Sequence, residues 1–397
     1  DISKDLSTSE LHSAVHRLCS VDDVHLLEDT NLLLKDKIAF CSSDKANNSS
    51  LAEISHLVVA FQGVLYNEMA MWEKFSVGEY RFDESTTAEV IGTGFLEYGG
   101  ELFNQLTGKF SIAIFNTRSS TLTIARDRVG EEPLFYTQTH GLFLFSTSLK
   151  SLLSSGYVDK KISVGALSQY LQLTYIPAPL SIIENVYKLL PGHYLTVDRE
   201  NAVSITQYWN VSYAKDSLIP DYDACKTQLR EAVFQSVEEM IGESHSYGTF
   251  LSGGIDSTII TGIASQLSDS PIDTFTIGYR DRQYDESDHA QIASAFHQTN
   301  NHLLVLESEE ALAPLDDIIS AMEEPLADAS MIPTYAVFKL AKGHIDTACT
   351  GDGGDELFGG YSRYLISYYA DQFNKLPRWS RSLIRGAVFG LPDTSLL

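Results

Sequence analysis

Two rhythms of apolar and polar residues run along the chain. In the first half the apolar runs are short and separated by turns. His56–Phe61 reads as a buried strand that ends at Gly63. Phe110–Phe115 and Thr121–Ala125 flank the polar turn Asn116–Ser120 and predict a hairpin, and Leu142–Ser146 predicts a further strand. Thr87–Tyr98 and Ser148–Ser154 carry helical spacing. Near Ser163 the pattern changes, with a helix opening at a serine cap. Pro177, Pro179 and Pro191-Gly192 then punctuate an extended crossing that closes at Gln207-Tyr208-Trp209.

Ser217–Tyr222 reads as a linker, and a helix over Asp223–Met240 opens the second half. Strand and helix alternate from there. Strands are expected at Ser246–Leu251, Thr274–Tyr279, His302–Leu306 and Ile345–Thr350, with helices at Ser257–Leu267, Asp288–Phe296, Ala311–Met322 and Pro333–Ala341. Such alternation predicts a doubly wound parallel sheet. The chain therefore divides into a domain over residues 1–210 and a second over 217–397.

Its 397 residues, 44% hydrophobic, exceed one ordinary core and agree with two domains. With 28 basic and 53 acidic residues the net charge is −25, a surface that repels phosphate backbones and argues against a nucleic-acid partner. No run approaches the ~18 apolar residues of a membrane span. The acidic start Asp1–Asp5 is no signal peptide, and, lacking methionine, it is expected to be clipped or part of a longer chain. Cys19, Cys41, Cys225 and Cys349 are far apart, which argues against a zinc site or disulfide framework and for a cytoplasmic protein.

The sharpest chemical signal is Phe250-Leu251-Ser252-Gly253-Gly254-Ile255-Asp256-Ser257-Thr258. A strand runs into two glycines, and a helix follows. Glycines permit a tight turn and close ligand approach. Free N–H groups at the helix start make an anion site, which the Ser252, Ser257 and Thr258 hydroxyls extend. Asp256 would repel a bare phosphate, so it makes sense as a metal ligand. An ordinary serine-rich helix cap is the plainer alternative. A lysine-bearing phosphate loop is excluded, because no lysine follows.

A second loop, Thr350-Gly351-Asp352-Gly353-Gly354-Asp355-Glu356, follows a later strand. Ligands of open parallel sheets bind beyond the carboxyl ends of the strands, so both loops can face one cleft. Three carboxylates among glycines suit Mg²⁺, and their spacing does not match an EF-hand.

Together these motifs match the ATP-pyrophosphatase family, and they resemble the synthetase domain of asparagine synthetases. Glu323–Tyr335 looks like that family's segment between the loops, and Phe275–Tyr279 with Asp285-Glu286 resembles the strand beside the adenine. Ala125–Tyr136 and Gln62–Asn67 resemble the family's glutaminase domain, an αββα sandwich of the N-terminal-nucleophile type. The resemblance implies an AMP-forming amide ligase using ATP and Mg²⁺. Leu251, Ser252, Gly253, Gly254, Asp256, Ser257 and Thr258 would hold the nucleotide with Ile277, Thr350 and Gly351. Asp256 and Asp355 would hold the metal, and Asp352 and Asp355 would serve the chemistry. The partners implied are a carboxylate such as aspartate and ammonia or another amine. A homodimer is among the assemblies expected.

The departures bear on nitrogen supply. The family's nucleophile is an N-terminal cysteine, and the chain begins with Asp1. Val64 stands where the family has a glutamate, Thr87 where it has an aspartate, and Lys37 where an arginine is expected. Valine cannot hold an ammonium group. The resemblance therefore implies a glutaminase fold whose glutamine site is degraded. The family's lysine near the α-phosphate is not among these residues. Two alternatives stand beside asparagine synthesis: a peptide macrolactam or β-lactam-forming cyclase, and a non-catalytic nucleotide-binding homologue.

Overall fold

The computed structural model describes residues 30–35, 38–43, 49–75, 86–212, 221–283 and 285–389, apart from 243, 245 and 308–311. The chain start, Cys19, Lys37 and residues 217–220 of the expected linker lie outside the described residues. Packing divides the chain into two units. One comprises Asp1–Ala232 with Leu312–Ile332, and the other Val233–Ala311 with Pro333–Leu397.

In the first unit β1 (Thr30–Lys35) and β2 (Ile38–Ser43) form an antiparallel pair. Strands β3 (Ser49–Ile54), β4 (Leu57–Leu65), β5 (Gly108–Asn116) and β6 (Thr121–Arg126) continue the chain. A second sheet, ordered β8-β7-β9, holds β7 (Phe135–Thr139), β8 (Leu142–Ser146) and β9 (Tyr187–Lys188). Then β10 (His193–Val197) and β11 (Val203–Gln207) return to the first sheet, giving the order β11-β10-β6-β5-β4-β3. The helices are α1 (Glu68–Phe75), α2 (Thr87–Tyr98), α3 (Leu149–Ser154) and α4 (Val164–Leu173).

Alternation along β4 and β5 fixes the layers. Val59, Phe61, Ile112 and Ile114 face α2, where Ala88, Val90 and Ile91 bury against them. Val58, Ala113 and Phe115 point the other way, onto Leu134 just before β7 and onto Tyr136 and Phe143 of the second sheet. That sheet's outer side, through Phe135 and Leu144, packs on Leu149 and Leu152 of α3. Helix, sheet, sheet and helix stack as the sequence leads one to expect. The expected strand stop at Gly63 is a difference: β4 runs on to Leu65. Gly63 adopts φ 129°, and a Cβ there would strike the Lys109 carbonyl of β5, so this glycine serves close strand approach.

The Ala125–Tyr136 stretch owes its form to two buried charges. Asp127 is fully buried and accepts N–H groups from Val129 (3.1 Å), Gly130 (2.5 Å), Glu131 (3.0 Å) and Glu132 (2.9 Å). Arg126 donates to the carbonyls of Gly130, Glu132 and Leu189 at 2.7–2.8 Å. Both are structural groups that hold the loop's polar backbone away from water.

The second unit opens from α5 (Tyr222–Ile241) and alternates as the pattern predicts. It holds β12 (Tyr247–Phe250), α6 (Ile255–Gln266), β13 (Asp273–Tyr279), α7 (Ser287–His297) and β14 (Asn300–Leu306). After α8 (Leu315–Ala321), which packs in the first unit, come α9 (Met331–Ala341) and β15 (Thr347–Cys349). The chain then runs through α10 (Gly354–Phe358), α11 (Ser362–Lys375) and α12 (Arg378–Phe389). The four strands are parallel and ordered β14-β13-β12-β15. Phe250, Phe275 and Ile277 face Val337 and Ala341 of α9. Thr249 faces α6, bonding Thr261 at 2.7 Å, and Leu251 packs on Ala290 and Ala293 of α7. Helices thus cover both faces of the sheet.

Residues 312–332 follow β14 in sequence yet pack in the first unit. Two glutamates hold them there. Glu324 pairs with Lys188 at 2.5 Å, each side chain 13% exposed, and accepts the Ile182 N–H at 2.7 Å. Glu323 accepts the Ser148 hydroxyl (2.9 Å) and the Lys150 N–H (3.0 Å). Lys188→Met would leave the Glu324 carboxylate without its counter-charge in a poorly hydrated place. A loss of about 3 kcal/mol of stability is expected, since breaking such a pair from one side costs more than the pair itself contributes. Urea denaturation checks this, and an unchanged midpoint would contradict it.

Candidate functional site

The sheet of the second unit has one topological switch point. From β12 the chain winds outward through β13 to β14, then returns to β15 on the opposite side of β12. The carboxyl ends of β12 and β15 therefore flank the crevice where parallel α/β sheets bind ligands. Both glycine loops start there, Leu251–Gly254 after β12 and Thr350–Gly353 after β15.

The first loop is tightly held. Ser252 and Ser257 hydroxyls lie 3.0 Å apart, the Gly254 N–H reaches Ser252 Oγ at 3.2 Å, and the Ser252 N–H reaches Ser257 Oγ at 3.3 Å. Gly253 takes φ 87°, and a Cβ there would lie 2.6 Å from the Cβ of His289 on α7, so only glycine fits this turn. Gly254 caps α6, whose first N–H groups have no helical partner and face the crevice end. Ser252 and Gly254 are exposed, Asp256 and Thr258 half-buried, Ser257 buried.

The second loop lies directly on the first. A Cβ on Gly351 would stand 2.9 Å from the Ser257 nitrogen, and one on Gly354 would run into the Asp256 carboxylate. A Cβ on Gly360 would likewise meet the carboxylate of Asp355. The structure thus brings Asp256, Ser257, Gly351 and Gly354 together, and sets the half-buried carboxylates of Asp256 and Asp355 each against a glycine, Gly354 and Gly360 respectively. Asp352 is exposed and turned back to the Thr350 hydroxyl at 3.0 Å. Ile277 is half-buried on β13, where it packs beside Phe275 and α9. Asp285 lies two residues before α7, accepts the Ser287 N–H at 3.2 Å, and is held below the usual carboxylate range by the Tyr279 N–H and the Ser287 hydroxyl. Cys349, at the end of β15, is buried, and burial pushes its thiol up to about 11, which suits packing and not nucleophilic attack.

The fit of a metal can be judged from the donors. Among the described residues no three His, Cys, Asp or Glu side chains form a ready-made cage. Mg²⁺ typically takes one or two carboxylates and fills its shell with water and substrate phosphate, so Asp256 and Asp355 suit it. The glycine cradles, which no sequence motif announces as such, are what let the two loops pack with each carboxylate against a glycine backbone.

In the first unit, Val64 shares one face of the β4–β5 pair with Gln62, Lys109 and Ser111. Gln62 accepts the Thr147 hydroxyl at 2.8 Å, and Ser111 donates to Pro133 O at 3.0 Å. Thr87 opens α2, which packs against the opposite face.

Comparison with known proteins accords with this picture. A family model described as a glutamine amidotransferase domain matches residues 8–209, and one described as asparagine synthase matches 228–391. An asparagine synthetase [glutamine-hydrolyzing] 1 of Bacillus subtilis is 30% identical over 335 residues, 84% of this chain and 52% of that protein. A putative asparagine synthetase [glutamine-hydrolyzing] 2 of Methanocaldococcus jannaschii is 30% identical over 339 residues, 82% and 63%. A Gibberella zeae protein named amidase chry2 is 26% identical over 323 residues, 76% and 47%. The chain spans only about half of the first and last of these relatives. An amidotransferase-type sandwich joined to a parallel α/β unit with two glycine loops defines the class. The chain belongs to the asparagine synthetase family. Among the described residues no helix is long and apolar enough to cross a membrane.

Proposed function

We propose that the chain carries the ATP-activating site of an AMP-forming amide ligase of asparagine synthetase type, one that adenylates the β-carboxylate of aspartate. Residues 1–210 are its glutaminase-like half and 217–397 its adenylating half. The observation that carries the reading is the contact of the two loops at the switch point, with Asp256 set against Gly354. The N–H groups that open α6, with the Ser252, Ser257 and Thr258 hydroxyls, bind the pyrophosphate that leaves. Asp256 and Asp355 would hold Mg²⁺, which would neutralise charge on that pyrophosphate. Ile277 contacts the adenine, while Thr350 and Gly351 border the α-phosphate. Asp352, once released from Thr350, positions or deprotonates the amine. Ammonia or another amine then takes the acyl group. The separated cysteines suit a cytoplasmic enzyme, and a homodimer is the assembly to test first.

Aspartate-dependent ATP–pyrophosphate exchange by the full-length protein tests this reading. Exchange driven by aspartate is expected. Exchange driven only by a peptide or β-amino acid carboxylate would favour a cyclase with a different acceptor, a reading that Val64, Thr87 and the kinship to an amidase keep in view. Gly354→Ala is expected to push the Asp256 carboxylate aside and raise the Mg²⁺ concentration needed for half-maximal exchange by about tenfold, as loss of one charged contact implies. A metal titration of exchange reads this directly, and an unshifted midpoint would count against the cradle.

A further inference from the structure

Hydrogen bonding between β12 and β13 stops at Leu251. Its N–H donates to Phe275 O at 2.9 Å, and the chain then leaves the sheet for the glycine loop. The Leu251 carbonyl receives the hydroxyl of Thr276 at 2.8 Å. Both residues are 1% exposed, so this bond stands where the next rung of the ladder would be, away from water.

Thr276 Oγ1 also lies 3.0 Å from Asn301 Oδ1, and Thr274 Oγ1 lies 3.1 Å from that same atom. A threonine hydroxyl has one hydrogen, so Thr276 cannot donate to Leu251 O and to Asn301 Oδ1 together. Turning the Asn301 amide over resolves the conflict. Its NH₂ group then donates to both threonine oxygens, and the single hydrogen of Thr276 goes to the Leu251 carbonyl. Thr274 in turn meets Thr299 Oγ1 at 3.1 Å, and Thr299 meets Ser294 of α7 at 2.8 Å. On the loop's other side α7 presses against Gly253 through His289.

We propose that Asn301 and Thr276 are a positioning pair for the pyrophosphate loop: Asn301 orients the Thr276 hydroxyl, which fixes the carbonyl of Leu251 and so aims Ser252–Ser257. This rests on the nucleotide reading above. Neither residue belongs to a glycine loop, and both act through Leu251.

The test uses the full-length protein, with MgATP as the probe in equilibrium binding and with amide hydrogen exchange of residues 252–257. Thr276→Val keeps the shape and removes the hydroxyl, leaving a buried carbonyl unpaired. It is expected to weaken MgATP binding about tenfold and to speed exchange in the loop. Thr276→Ser keeps the hydroxyl and is expected to bind as the unaltered protein does. Equal weakening in both variants would mean that the methyl group's packing matters, and would overturn the proposal. So would a Thr276→Val protein with unaltered affinity. An unaltered protein that binds no MgATP would sink the nucleotide reading itself, and this inference with it.

Discussion

Asp256→Asn in the full-length protein is expected to lower substrate-dependent ATP–pyrophosphate exchange by at least about a hundredfold, the scale of losing one preorganised charge at a reacting phosphate. The carboxylate sits in the first turn of α6, between the glycine loop and Gly354. It stands in the same first turn whose N–H groups would receive a phosphate, an arrangement that a metal ion reconciles and a bare anion does not. Asparagine has the same shape and keeps the contact with Gly354, so the fold should survive. Thermal unfolding separates the two effects: an unchanged midpoint with exchange lost is the expected pair of results. Exchange at the unaltered rate would remove Asp256 from the metal site.

Negligible glutamate release from glutamine is the second large effect expected, with amide formed from free ammonia or another amine. Glutamine hydrolysis needs a thiolate and a pocket that fixes the substrate's backbone against it. A natural N-terminal cysteine in the full-length protein would supply the first alone. By the family resemblance Val64 and Thr87 stand where two groups that hold the α-ammonium would be; losing the one at Val64 alone would cost roughly 1.5–3 kcal/mol, or about one to two decades in affinity. Val64 also stands opposite Lys109 in the β4–β5 pair. Robust glutaminase activity, or glutamine bound against Val64 with its ammonium satisfied elsewhere, would return the chain to ordinary glutamine dependence.

How far the sequence carries can be judged element by element. Helix α2 and strand β8 are found where the pattern puts them, because a capped apolar helix and a five-residue apolar run each have one sensible reading. The parallel sheet of the second unit follows from alternation, though its strand order does not. Strands β10 and β11 are harder to see. Pro191-Gly192 suggests an irregular crossing, and β11 is mostly exposed, so no buried period announces it. β9 is only two residues long, too short for any pattern. The helices α11 and α12 follow the second loop without entering any described core, and were likewise not anticipated. At the site, both loops are legible because glycine runs after strands have few other uses. The cradles at Gly354 and Gly360, the turn of Asp352 toward Thr350 and the Thr276–Asn301 pair depend on which backbones touch, which sequence order does not encode. The docking of residues 312–332 through Glu323 and Glu324 is of the same kind.

The most direct measurement of the central claim follows oxygen. Aspartate labelled with ¹⁸O in its β-carboxylate would be turned over by the full-length protein with ATP and ammonia, and the products analysed by mass. Attack on the α-phosphorus transfers one labelled oxygen to AMP, and that is the result expected of a loop that holds the pyrophosphate as a leaving group. Label in inorganic phosphate with ADP formed, or unlabelled AMP, would contradict it.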